Sequence, residues 1–498
     1  MTSYKSIAKS SGLIAFVQIA QMVFSLLRNK AISILLGSGA FGLYSIYNTF
    51  IEMGSVFAVF GVNNSVVREL SRCGDDKTAI GKTYFISNRL IILSSSIVFF
   101  LILIFAEDIG IYMFNEPGHE GGVRCVAIIV LFMVAAKEGY SVLNGIRSLR
   151  SLAISQIVSS GAGSICIVLA ILMWKSDAIP AALGVISLTM AIITYLYVRK
   201  EGVLEVKASW AEFKRTSRIL LSIGAGVTIA GIISTVMTLM SKSFLTEHYS
   251  ISAVGLYQSS WTISNLYTGI ILSAMGVDFM PRLSKVIDDK SKATELINQQ
   301  IIFGVVLSSI AISGILLFSK EILHLLYAEE FTAASTIVKW HIIGVFLRVM
   351  AFPFSYTILA KGKARYYAVA QVIFWTGDYI LLMICSSLWG FDGLGVNYPI
   401  AYFCYLLLTF LAAKRICGFY CSKALIWVLL RLFGFIITAW VISTIFVGNI
   451  WLYYGVACLI LITHLYFVNY YLKHKMDINI YRLLKTKINA CFKTGDKK

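Results

Sequence analysis

Residues 83–106 read TYFISNRLIILSSSIVFFLILIFA, with Lys82 before them and Glu107 and Asp108 after them. A helix rises about 1.5 Å per residue, so such a run covers the roughly 30 Å of a bilayer's hydrocarbon. It is far too continuous for the alternating pattern of a barrel strand, so it reads as a membrane-spanning helix. Its cations, Lys82 and Arg89, stand toward one end and its acids at the other. Working outward, thirteen further runs of this kind can be marked in the 498 residues: 11–36, 41–62, 125–145, 151–174, 179–198, 218–246, 252–275, 298–319, 331–359, 365–388, 393–413, 424–447 and 450–472.

The bulk composition agrees. Hydrophobic residues make up 58% of the chain and charged residues 14%, and the mean hydropathy is +0.80. Soluble domains carry about 25% charged residues. The expected fold is an all-α polytopic membrane protein of about fourteen transmembrane helices. Lysine and arginine nevertheless outnumber the acids 43 to 25. Counted segment by segment, 32 of the 43 fall on the side of the N-terminus and three, Arg124, Lys175 and Lys320, on the opposite side. Cations concentrate on cytoplasmic loops, so both termini are expected in the cytoplasm.

Cheaper classes fall away. The nine cysteines show no CxxC pair and the six histidines no HxxxH or HxxEH pairing, so neither a disulfide framework nor a metal site is expected. Gly81-Lys82-Thr83 imitates the end of a P-loop, but Asp76 stands where the first glycine is required. No cofactor is expected, and no basic-aromatic module points to nucleic acid. Lys5 and Lys9 precede the first apolar run without an A-x-A cleavage pattern, so that run reads as a retained helix. Pro353 falls inside the tenth span and predicts a kink.

The chain repeats itself. Gly42-Leu43-Tyr44 opens the second span and Gly255-Leu256-Tyr257 the eighth. Gly61-Val62 and Gly276-Val277 close them, followed by Arg68 and Arg282. Spans four and ten each run into a glycine-basic turn and a glutamine: Gly145, Arg147 and Gln156, then Gly362, Lys363, Arg365 and Gln371. Six spans separate equivalents, an even number, so the copies share orientation and form a parallel pseudo-two-fold repeat. The expected organisation is an N-lobe over 1–198 and an amphipathic connector over 199–217 containing Trp210 and Phe213. A C-lobe over 218–413 follows, then two extra spans over 414–472 and a basic tail over 473–498.

Eight cations lie inside spans. A charge at mid-membrane costs about 2.5–3.5 kcal/mol on insertion scales, so such residues are expected to face a wet interior. Arg28, Lys137 and Arg348 sit deepest, with Lys30 and Lys242 nearer the outer ends; these five are the candidate cavity cations. Arg431 and Lys339 lie near span ends, where they can snorkel. Polar stripes accompany them at helical spacing: Gln18, Gln21, Ser25 and Arg28; Asn48, Glu52 and Ser55; Thr228, Gly231, Thr235, Thr238 and Lys242; Gln258, Thr262 and Asn265. Interhelical hydrogen bonding without a ligand is the competing explanation of the stripes. Glu52, Glu138 and Asp378 are candidates for ion coupling or for salt bridges, Glu52 toward the Arg28 region. More deep positive than negative charge favours an anionic ligand.

Certain stretches carry a resemblance. They are Arg28 with Leu36-Gly37 and Phe41-Gly42-Leu43-Tyr44; Ile322 to Tyr327 with Glu330-Phe331; and the Ala360-Lys361-Gly362-Lys363 turn. With the two six-span lobes, they resemble the polysaccharide and O-antigen flippases (Wzx type) of the multidrug/oligosaccharidyl-lipid/polysaccharide exporter superfamily. The resemblance covers about residues 8–470. It implies a flippase of the bacterial inner membrane that moves a polyprenyl-pyrophosphate-linked glycan by alternating access, driven by an ion gradient. Implied partners are that glycan lipid, membrane lipid and other polysaccharide-assembly membrane proteins. A peptidoglycan-precursor flippase or a drug exporter of the same superfamily are the alternatives, the latter favouring an acid-rich cavity. A membrane glycosyltransferase or polymerase fits less well, because the longest outer loop, about 107–124, is short.

Overall fold

A computed structural model describes residues 2–445 and 450–475, with the side chains at 2–12, 14–15, 177–178, 222–227, 267, 270, 273–274, 277–278, 445 and 450 excepted. The side chains of Lys5 and Lys9, and most of the basic tail, thus lie outside what is described. Every regular element among the described residues is helical. In order they are α1 (Thr2–Val59), α2 (Val62–Cys73), α3 (Lys77–Ile104), α4 (Ala106–Phe114), α5 (Glu120–Gly145), α6 (Leu149–Trp174), α7 (Ile179–Lys200), α8 (Trp210–His248), α9 (Ile251–Val286), α10 (Lys290–Leu317), α11 (Ser319–Leu326), α12 (Ser335–Ala360), α13 (Ala364–Cys417), α14 (Lys423–Ile445) and α15 (Ile450–Lys475). Short 3-10 turns sit at Lys175–Ala178 and Glu329–Ala334. Eleven of the described helices are long and apolar enough to cross a membrane.

Two of these helices are hairpins. α1 leaves helical geometry at Gly37, with φ at 76°, and α13 at Gly390, with φ at 59°. Left-handed backbone is open to glycine at no steric cost, so the chain reverses there. In α13, Asn397 Nδ2 donates to Asp378 Oδ1 at 2.8 Å and Gln371 Nε2 to the Tyr405 hydroxyl at 3.1 Å. A straight helix would hold residues that far apart in sequence about 28 Å or more apart in space. In α1 the Arg28 guanidinium lies 5.9 Å from the Tyr44 ring, for the same reason.

α1 to α7 pack into one bundle and α8 to α13 into a second; α14 and α15 lie against α10 of the second. That last contact is specific: His464 sits between Ser309 and Ser313, each 3.0 Å from a ring nitrogen. The repeat extends to the caps. Asp76 accepts from the backbone N–H groups of Thr78 and Ala79 at the start of α3, and Asp289 does the same for Ser291 and Lys292 at the start of α10. An acid at this position satisfies orphan amides and opposes the helix dipole.

The connector runs from the end of α7 into the start of α8. Val206 N–H bonds to Gly81 O at 3.2 Å, holding the segment against α3, and Trp210 already begins α8. Ser209 and Glu212 form a capping box there, and Lys82 pairs with Glu212 at 2.8 Å. The Lys82 hydrogen bond, with those from Ser209, pulls the Glu212 carboxyl down to about 2. Lys82, which imitated a P-loop lysine, therefore serves to dock the connector.

Candidate functional site

The two bundles touch where the repeat meets itself. A Cβ on Gly42 would lie 2.0 Å from the carbonyl oxygen of Ile251, and one on Gly255 would lie 2.2 Å from that of Ser38. Gly42 and Gly255 are equivalents, and so are Ser38 and Ile251, so the contact is reciprocal: each glycine receives the other copy's backbone. Reciprocity of this kind places a pseudo-two-fold axis through the contact. Ser45 and Gln258, 213 residues apart, also meet on it, Ser45 Oγ donating to Gln258 Oε1 at 3.0 Å. The glycines thus do more than open spans two and eight: they let two helix backbones approach to van der Waals contact.

Polar groups fasten this contact, on the side away from the cation-rich segments. Glu330 accepts from the Ser38 N–H at 2.7 Å and from the Ser38 hydroxyl at 3.0 Å, beside the Gly37 reversal. Ala328 N–H donates to Ser33 Oγ at 3.1 Å. Lys30 Nζ donates to the Leu325 carbonyl at 2.5 Å. Lys242 is buried, and its ammonium donates to Ser45 O at 3.1 Å, Ser45 Oγ at 2.7 Å and Thr49 Oγ1 at 2.5 Å. All three of its protons are therefore placed on the opposite bundle. Lys30 and Lys242 thus fasten one bundle to the other, and Lys242 also lines a narrow pocket. Glu330 was legible only as an outer-loop acid; nothing in its local sequence points to Ser38.

Deeper, each bundle holds one cation against its own repeat-related polar residue. Lys137 on α5 pairs with Glu52 at 2.7 Å and donates to Ser55 Oγ at 2.6 Å. Arg348 on α12 donates to Asn265 Oδ1 at 2.5 Å and to the Tyr398 hydroxyl at 3.3 Å, with its guanidinium 5.8 Å from the Tyr402 ring. Glu52 and Asn265 keep the offset of Ser45 and Gln258. The geometry recurs, but the first bundle uses a carboxylate where the second uses an amide. Glu52 finds Lys137 rather than the Arg28 region. Its side chain remains 44% exposed and that of Lys137 27%, so the pair faces open space.

Arg28 donates to Ser25 Oγ at 3.3 Å and stacks on Tyr44, leaving a buried Nε–H without a partner among the described residues. A buried unsatisfied donor costs about 1–3 kcal/mol and favours an acceptor brought by something else. Gln21, Asn48, Thr235, Thr238, Thr262 and Asn265 are all partly exposed. Thr235 and Thr238 hydroxyls donate to carbonyls of their own helix, and Thr262 is engaged with Gln258. The acids divide. Asp378 is buried, accepts from Asn397, and shares a narrow pocket with Lys242, Tyr257, Gln258 and Trp375. Glu138 turns away from Lys137, accepts from Ser87 Oγ at 2.8 Å, and lines a cavity of about 580 Å³ between α3, α5, α7 and the connector.

Comparison with known proteins matches this architecture. The family model described as "Polysaccharide biosynthesis protein" matches residues 7–287, more than half of the chain. The Lipid III flippase of Escherichia coli (strain K12) is 23% identical over 387 residues, covering 76% of this chain and 90% of that protein. A Shigella flexneri protein named as a candidate O-antigen transporter is 25% identical over 397 residues, covering 77% and 92%. Among solved structures, the lipid II flippase MurJ in an inward closed conformation superposes with a TM-score of 0.70 at 15% identity, covering 95% of this chain and all of that one. The chain belongs to the polysaccharide biosynthesis protein family, and it is a multi-pass membrane protein with the MurJ-like fold.

Proposed function

We propose that this protein flips a polyprenyl-pyrophosphate-linked oligosaccharide, the repeat unit of O-antigen or another surface polysaccharide, across the bacterial cytoplasmic membrane. The chain crosses fourteen times, counting α1 and α13 as two crossings each and α9 as one, with both termini in the cytoplasm. The two bundles rock against each other, closing the Gly42–Gly255 contact in one state and parting it in the other. In the state described, the outer ends are fastened and the partly exposed polar stripes face the cytoplasmic side. The isoprenoid tail stays in lipid while the head group passes between the bundles.

One observation carries this reading: Arg28, with its orphaned Nε–H, and the Glu52–Lys137 and Asn265–Arg348 pairs sit inside an apolar chain, on the inner side of a fastened outer contact. The pyrophosphate is an anion that accepts from several donors at once, and arginine forks suit it. The second bundle places Asn265 where the first places Glu52, so the two deep cations meet chemically different partners at equivalent positions. An ion gradient supplies the driving force, with Glu52, Glu138 and Asp378 as the acids available to sense it.

The test is complementation of a strain that lacks its own flippase, scored by surface glycan and by membrane insertion. Alanine at Arg28, Lys137 and Arg348 together is expected to abolish glycan export with insertion intact; normal export would overturn the cationic cavity. A peptidoglycan-precursor substrate is the second reading, favoured by the fit to the lipid II flippase over 95% of the chain. Rescue of cells depleted of their lipid II flippase, without restoration of O-antigen, would select it.

A further inference from the structure

The cations of the cation-rich face are not all alike. Several are matched by acids: Arg72 with Glu69, Lys82 with Glu212, Lys292 with Asp289, and Lys361 with Asp288. Lys363 and Arg415 stand in no ion pair among the described residues, and they line one groove. Lys363 lies 5.6 Å from the Tyr366 ring, which is also in the groove. It occupies the N-cap of α13 without a side-chain cap, so the first amides of that helix stay available to an anion. Below these groups the groove is apolar, formed by Val369 and Ile373 on one arm of the α13 hairpin and Leu408 and Leu411 on the other. Its volume is about 480 Å³.

The groove is not a by-product of the repeat. Lys363 N–H closes its turn on Ile358 O as Ser148 N–H closes the matching turn on Leu143 O. The first bundle therefore has a serine where the second has the lysine. Three residues on, Ser151 donates to Glu201, an acid, where the second bundle has Tyr366. In the second bundle uncapped amides, two cations and an acyl-sized slot come together at the membrane surface.

We infer that this groove is a binding site for an anionic phospholipid of the cation-rich leaflet. The phosphodiester lies between Lys363, Arg415 and the start of α13, and one acyl chain runs between the hairpin arms. Basic pockets between helices at this depth recognise anionic headgroups, and each surface cation contributes about fivefold in affinity. The site lies on the outer surface of the second bundle, away from Arg28, Lys137 and Arg348, so it stands or falls independently of the transport reading.

The experiment is native mass spectrometry of the purified full-length protein, titrated with phosphatidylglycerol, phosphatidylcholine or inorganic phosphate. The wild type is expected to retain phosphatidylglycerol over phosphatidylcholine, and millimolar phosphate is expected not to displace it. Lys363→Gln with Arg415→Gln should weaken retention about 30-fold, two cations' worth. Lys285→Gln with Lys290→Gln, elsewhere on the same face, should leave it unchanged. If the first pair fails to fold, Val369→Trp with Leu411→Trp fills the slot with both cations kept and should also abolish retention. Equal binding of phosphatidylcholine, displacement by phosphate alone, or full retention in the Lys363/Arg415 or the slot-filled variant overturns the proposal.

Discussion

At the scale of single residues, the informative feature is one atom-for-atom exchange inside a repeat. Glu52 and Asn265 occupy equivalent positions, yet Lys137 meets a carboxylate and Arg348 an amide. If Arg348 holds the anionic head group, a carboxylate at position 265 sets a competing negative charge beside it with almost no change of shape. Asn265→Asp is therefore expected to lower transport about 10- to 100-fold, the range of one charge-assisted contact, while insertion and thermal midpoint stay near wild type. Transport at the wild-type rate in that variant would show that the head group does not use Arg348. Glu52→Gln acts in the opposite sense, freeing Lys137 and raising affinity for the anionic head group. An alternative in which Glu52 couples the driving ion predicts loss of transport instead, so the two roles separate in one measurement. The stripes and the deep cations were readable from helical spacing. Which residue each would meet was not, because hydrogen-bond partners in a bundle come from other helices at unrelated sequence distances.

At the scale of elements, the crossing of α1 and α9 governs the outer contact. Gly42 has no room for a side chain: a Cβ would press on backbone, which cannot swing aside as a rotamer can. Gly42→Ala is expected to part α1 from α9 and favour the outward-open arrangement, seen as faster thiol labelling of a cysteine placed at Ser38. Unchanged labelling would mean that the crossing is not the closed gate. Lys242 makes a second prediction. Its three acceptors all belong to α1, so opening the outer side removes them together. A buried ammonium then needs another partner, and Asp378 shares its pocket. Lys242→Met and Asp378→Asn should accordingly be coupled, with the double variant losing no more transport than the worse single one. Strict additivity would separate their roles.

At the scale of the whole molecule, alternating access requires the outer fasteners to break in every cycle. Ser38 and Glu330 lie on different bundles and touch. Replacing both with cysteine and bridging them with a short thiol crosslinker should stop transport, and a reducible crosslinker should allow recovery on reduction. Continued transport through the crosslinked protein would rule out a cycle in which this contact parts.

Apolar run length, the one-sided distribution of cations and the Gly-Leu-Tyr repeat were enough to obtain an all-helical polytopic chain with a doubled architecture, because bilayer thickness and backbone hydrogen bonding leave few alternatives. The glycine reversals at Gly37 and Gly390 were legible only as soft gaps between spans. Tertiary structure alone decided that Gly42 and Gly255 meet on a pseudo-two-fold axis, and that Lys242 and Lys30 fasten one bundle to the other. It also decided that Glu138 is buried against Ser87 within the first bundle while its neighbour Lys137 meets Glu52. These are relations between helices far apart in the chain. The pattern along one helix fixes which face is polar, but only packing fixes what that face is brought against.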